Sequence, residues 1–109
     1  MPRAFPRAPL TGPVTFFEGR QPHDGIAAGI GGNGMFLRTR DLLPVGAFIT
    51  VRVALPACAF TVLGKVVRVV REGTAGMNPC GMGIEFLDIA AGHRRSVLAY
   101  IRDREPVTA

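Results

Sequence analysis

Tryptophan is absent, tyrosine occurs once (Tyr100), and there are only two cysteines and two histidines. Proteins that grip single-stranded nucleic acid use exposed aromatic platforms, so these scarcities count against a nucleic-acid partner. Phe residues do not fill the gap, because they fall mostly at core-compatible strand positions. Cys58 and Cys80 make no disulfide framework. The strand read between them has about 12 residues and spans on the order of 40 Å, whereas bridged Cα atoms lie within about 7 Å. His23 and His93 have no Cys, Asp or Glu at metal-ligand spacing and are expected at the surface. Neither cysteine has an obvious activating partner. The sequence therefore offers no catalytic residues, no metal site and no cofactor, and reads as a non-enzyme. No apolar run approaches the roughly 20 residues needed to span a bilayer, so no membrane insertion is expected. The stretch MPRAFPRAPL has no apolar signal-peptide core, and the expected location is the cytoplasm.

What is present bounds the fold. The chain has 109 residues, 48% of them hydrophobic, enough for the core of one domain and too many for a disordered chain. Gly (14) and Pro (9) are spread along it, which favours short strands joined by turns. Thirteen basic residues against eight acidic ones give a net charge of +5, and an anionic partner suits that balance.

Along the chain, residues 1–9 read as an extended, mobile arm, because Pro2, Pro6 and Pro9 disallow a stable helix. The barrel domain is expected over 10–103 and a frayed tail over 104–109. Leu10 to Phe17 reads as the first strand, Glu18 to Ala28 as a polar loop, and Gly29 to Gly34 as a Gly-rich turn running into a strand from Met35 to Thr39. Leu43 to Gly46 is a turn. Phe48 to Leu55 alternates, with Ile49, Val51, Val53 and Leu55 on one face. Phe60 to Arg71 is the longest strand, with Lys65 on one face and Arg68 on the other, and with Gly64 as the expected source of a bend. After a loop over 72–80 comes a strand from Met82 to Leu87. Asp88 is then the expected N-cap of a helix over 90–103 that carries Val97, Leu98 and Ile101 at helical spacing. Strands first and one helix last, without βαβ alternation, imply an all-β antiparallel barrel or sandwich with a helix packed on it.

Two features bear on function. GIGGNG places glycines at 29, 31 and 34 in a Gly-x-Gly-x-x-Gly spacing. A dinucleotide fingerprint must follow a strand and open a helix, and here a strand follows, so that reading fails. The glycines still require positive φ or a close approach. The second feature is Arg3-Ala-Phe-Pro-Arg7: two guanidinium forks four residues apart, each suited to phosphate or to the O6/N7 edge of guanine.

Taken together, the Arg-x-x-x-Arg arm, PLTGPVTF, the Gly-rich turn before GMFLRT, LLPVGAFITVRVALP, FTVLGKVVRVV and PCGMGIEFLDI resemble the PilZ family of bacterial cyclic di-GMP receptors, from Arg3 to about Arg102. The resemblance implies a barrel of about six antiparallel strands closed by a C-terminal helix. It also implies cyclic di-GMP as ligand and an effector protein as partner. In that family the arm contacts guanine and phosphate, and an Asp/Asn-x-Ser-x-x-Gly motif supplies hydrogen bonds to guanine. Arg3 and Arg7 fit the first motif. In the second, Gly34 fits the closing glycine, while Gly29 and Gly31 stand where the acidic or amide residue and the serine belong. Losing both partners weakens binding by roughly 2–4 kcal/mol, about 30- to 1,000-fold. The backbone N–H groups of the turn as an anion nest, and the side chain of Asn33, are the candidate substitutes. Two readings stay open: a cyclic di-GMP receptor-adaptor, and a degenerate member that acts as a protein-interaction adaptor without nucleotide. A third, a small basic barrel that binds nucleic acid, rests on the charge alone.

Overall fold

The structure, a computed structural model, describes residues 7–8, 12–71 and 80–104. Among them are the strands β1 (Arg7–Ala8), β2 (Gly12–Glu18), β3 (Gln21–Gly31), β4 (Gly34–Arg38), β5 (Phe48–Ala54), β6 (Ala59–Val70) and β7 (Gly81–Phe86), followed by the helix α1 (Ala91–Arg104). Every pairing is antiparallel. Neighbours run β3-β2-β5-β6-β7-β4, and the pairing of β4 with β3 closes these six strands into a barrel. The short β1 lies against the end of β3. Among the described residues no helix is long and apolar enough to cross a membrane.

Alternation builds the interior. Val14 and Phe16 from β2, Met35 and Leu37 from β4, Ile49, Val51 and Val53 from β5, Phe60, Val62 and Val66 from β6, and Met82, Ile84 and Phe86 from β7 all point inward. Successive residues of a strand face opposite ways, so one apolar residue in two suffices. The turn before β5 forms as the sequence indicates: Ala47 N–H donates to the Pro44 carbonyl at 3.0 Å. Gly46 takes φ 97°, the positive φ that a type II turn places at its third residue.

Three expectations are corrected. The segment read as a polar loop, Glu18 to Ala28, is mostly β3, whose residues Gln21 to Ala27 pair with β2. Pro22, His23, Asp24 and Gly25 have little intrinsic strand preference; pairing across the hairpin with β2 overrides it, and on the other side the Thr39 hydroxyl donates to the Asp24 carbonyl at 3.0 Å. The hairpin into β3 turns at Gly19, which adopts φ 62°, as tight two-residue hairpins require. Second, the irregularity in β6 lies at Val67 and not at Gly64. The register shift between Val66 and Arg68 is a bulge at Val67, and the extra residue turns Arg68 outward, onto the same outer face as Lys65. Gly64 instead makes room for Ile84, whose Cγ2 would lie 2.5 Å from a Cβ at that position. Third, Asp88 does not cap the helix. The helix begins at Ala91, and Arg94 N–H donates to the Ala90 carbonyl at 2.9 Å, which puts the capping position at Ala90.

Both histidines are more enclosed than expected. His23 is only 16% exposed. Its ring stacks on Phe16 with centroids 5.1 Å apart, and its Nδ1 lies 3.2 Å from Asp41 Oδ2. His93 stacks on Phe60 at 4.6 Å, pinning the start of α1 to the barrel. Val97 and Ile101 are buried beneath the helix, while Leu98 stays half exposed against the β3–β4 turn. Cys58 and Cys80 are free thiols.

Leu37 and Leu63 are 0% and 44% exposed, so the same truncation separates core from surface. Leu37→Ala is expected to lower unfolding free energy by about 2–5 kcal/mol, and Leu63→Ala by less than half of that loss. Urea denaturation of both variants checks this.

Candidate ligand-binding site

The two sequence features that bear on function meet at β3. Arg7 is the register partner of Gly31, and Ala8 that of Ile30. Gly31 in turn faces Gly34 across the β3–β4 hairpin, whose turn is Gly32-Asn33. The arm strand, the Gly-rich hairpin and the flank of α1 thus adjoin one another at the same corner of the barrel. Arg3 lies outside the described residues.

The glycines of GIGGNG belong to two strands and their turn, since Gly29 and Gly31 are in β3 and Gly34 opens β4. None of the positive-φ glycines among the described residues falls here. Close approach explains two of them. A Cβ on Gly34 would overlap the Ile84 carbonyl oxygen of β7, so only glycine lets β4 lie this near its neighbour. A Cβ on Gly32 would come within 3.2 Å of Leu98 Cδ2, so the turn is seated against the helix.

Asn33 sits at the tip of this hairpin. Its carbonyl accepts from Phe86 N–H at 2.8 Å, which fixes the turn's register. Its half-buried side chain has no hydrogen-bond partner among the described residues. Among the described residues no group of three or more His, Cys, Asp or Glu gathers to hold a metal.

A second row of residues runs beside the first on the outer face of the barrel. Gly29 faces Phe36, Phe36 faces Gly83, and Gly83 faces Arg68. Arg68 lies over the Phe36 ring, 5.6 Å from guanidinium carbon to ring centroid. The ring rests on Gly81, where a Cβ would stand 2.6 Å from Phe36 Cε2. Simple alternation along β6 put Arg68 on the other face from Lys65. Only the bulge at Val67 brings it here, and no residue type in VVRVV announces that bulge.

The sequence matches the PilZ domain family over residues 2–103. The chain belongs to the PilZ family. Its fold is similar to that of the PilZ domain of YcgR from Escherichia coli, solved with c-di-GMP (TM-score 0.69, 16% identity, 95% of this chain and 92% of that one). It is also similar to the Bacillus subtilis inhibitor of motility MotI/DgrA (TM-score 0.82, 18% identity, 95% of this chain). This PilZ domain spans 51% of MotI. A third similar fold is the PilZ domain of CeSA from a cellulose-synthesizing bacterium (TM-score 0.61, 14% identity, 89% and 95% covered). No curated protein matches the sequence.

The close approach at Gly34 yields a prediction. Gly34→Ala is expected to destabilise the PilZ barrel by about 1–3 kcal/mol, the usual cost of overpacking. Gly12→Ala, where a Cβ meets nothing within 4 Å, is expected to stay within about 0.5 kcal/mol of wild type. Thermal and urea unfolding of the two variants compare them directly.

Proposed function

We propose that this PilZ domain is a receptor-adaptor that binds cyclic di-GMP and signals to an effector protein. The observation that carries this reading is the register of Arg7 on Gly31. It sets the barrel end of the arginine arm beside the Gly-rich hairpin, so groups from both can meet one ligand. The similar domain of YcgR was solved with c-di-GMP, which supports the choice of ligand.

In this reading Arg3 and Arg7 fold over the nucleotide and offer charged forks to its phosphates and guanine edges. The hairpin at Gly29, Gly31 and Gly34 contributes backbone rather than side chains, and the Asn33 amide donates or accepts where it stands. Binding fixes the arm along β3 and beside α1, and this ordering is the change that an effector reads.

A second reading has a specific observation behind it: Gly29 and Gly31 replace two side-chain partners of the family motif. In this reading the domain is an adaptor without nucleotide.

Arg7→Ala is expected to abolish cyclic di-GMP binding in calorimetry while leaving the melting temperature near wild type. A folded Arg7→Ala protein that binds as tightly as wild type would exclude the receptor reading. The adaptor reading predicts instead that Gly29→Asp with Gly31→Ser creates an affinity that wild type lacks. If the pair changes nothing, those two positions do not limit binding.

A further inference from the structure

Resting on the receptor reading, we propose that Arg68, held over the Phe36 ring, is a guanine-recognising group that takes over from the side chains absent at Gly29 and Gly31.

Directly opposed residues of antiparallel strands share a face. Gly29, Phe36, Gly83 and Arg68 are opposed in sequence across β3, β4, β7 and β6, so they form one transverse row on the outer surface. Strands lie about 4.8 Å apart, which puts Arg68 roughly 14 Å from Gly29 along the sheet, and the Phe36 ring bridges part of that gap. The row runs alongside the one that joins Arg7, Gly31 and Gly34. A ligand laid on the hairpin therefore has the Phe36–Arg68 pair as its neighbouring floor.

Three features suit that floor to a base. Residues 29, 81 and 83 are glycines, so among the described residues Phe36 and Arg68 lie low on the sheet, the ring over Gly81 and the Arg68 stem beside Gly83. The guanidinium is uncommitted, because no carboxylate pairs with Arg68 among the described residues. The nearby Glu85 is register partner to Lys65. The contact with the Phe36 ring also restrains the guanidinium, and Arg68 is exposed on the outer face, where a planar fork of N–H donors can meet a ligand. Guanine presents two acceptors, O6 and N7, that match this fork. Adenine presents N7 beside the N6 donor and does not match. The pair thus selects guanine, the task that falls to the Asp/Asn and Ser positions elsewhere in the family.

Cyclic di-GMP and cyclic di-AMP are titrated by calorimetry into wild type, Arg68→Ala, Arg68→Lys and Arg7→Ala, each first shown to be folded by circular dichroism. Arg68→Ala and Arg68→Lys are both expected to weaken cyclic di-GMP binding by about 10- to 100-fold and to narrow the preference over cyclic di-AMP, since lysine restores charge without the fork. If both Arg68 variants bind like wild type while Arg7→Ala fails, the arm reading stands and the Arg68 inference falls. If Arg68→Lys recovers full affinity and selectivity, Arg68 is only a charge, and guanine recognition by it is overturned. If wild type itself binds no cyclic di-GMP, the receptor reading falls and this inference falls with it.

Discussion

The fold depends on β3 being hydrogen-bonded along both edges. On one edge it pairs with β2 and, at its far end, with β1; on the other it pairs with β4. That double pairing turns an open sheet into a barrel and removes the exposed edges that an open sheet leaves. It also brings an N-terminal arginine and a glycine-rich hairpin together, although they lie more than twenty residues apart in the chain. Barrel closure and the meeting of Arg7 with the Gly-rich hairpin therefore depend on the same strand.

The glycines serve this closure more than they serve flexibility. Gly34 lets β4 approach β7, Gly64 admits Ile84, and Gly81 gives way to Phe36. Each is an inter-strand contact that a methyl group would obstruct. The bulge at Val67 has the complementary effect: it leaves the core side of β6 filled by Val66 while carrying Arg68 to the outer surface. The inward face thus settles stability, and the outward row of Gly29, Phe36, Gly83 and Arg68 is available for recognition.

Much of this was legible in the sequence. Five strands and the helix appear there with ends within a few residues, because Val, Ile and Phe alternate with polar residues in β5 and β7, and Val97 and Ile101 keep helical spacing. The strand that closes the barrel was not legible. QPHDG carries turn residues, and it is held extended by pairing across the hairpin with β2 rather than by its own preference. Histidine burial was hidden for the same reason: His23 is enclosed by Phe16 and Asp41, which its neighbours in sequence do not reveal. The site was half legible. The glycine spacing and the first arginine motif can be read directly, but the meeting of Arg7 with Gly31 is a register, and Arg68 reaches the surface through a bulge.

Amide hydrogen exchange with and without cyclic di-GMP tests most directly whether the arm and the Gly-rich hairpin form a single nucleotide site. The arm around Arg7 and the segment from Gly29 to Gly34 are expected to gain protection together on saturation, with the opposite wall at β5 unchanged. No added protection in either segment, or protection confined to one of them, would contradict a shared site.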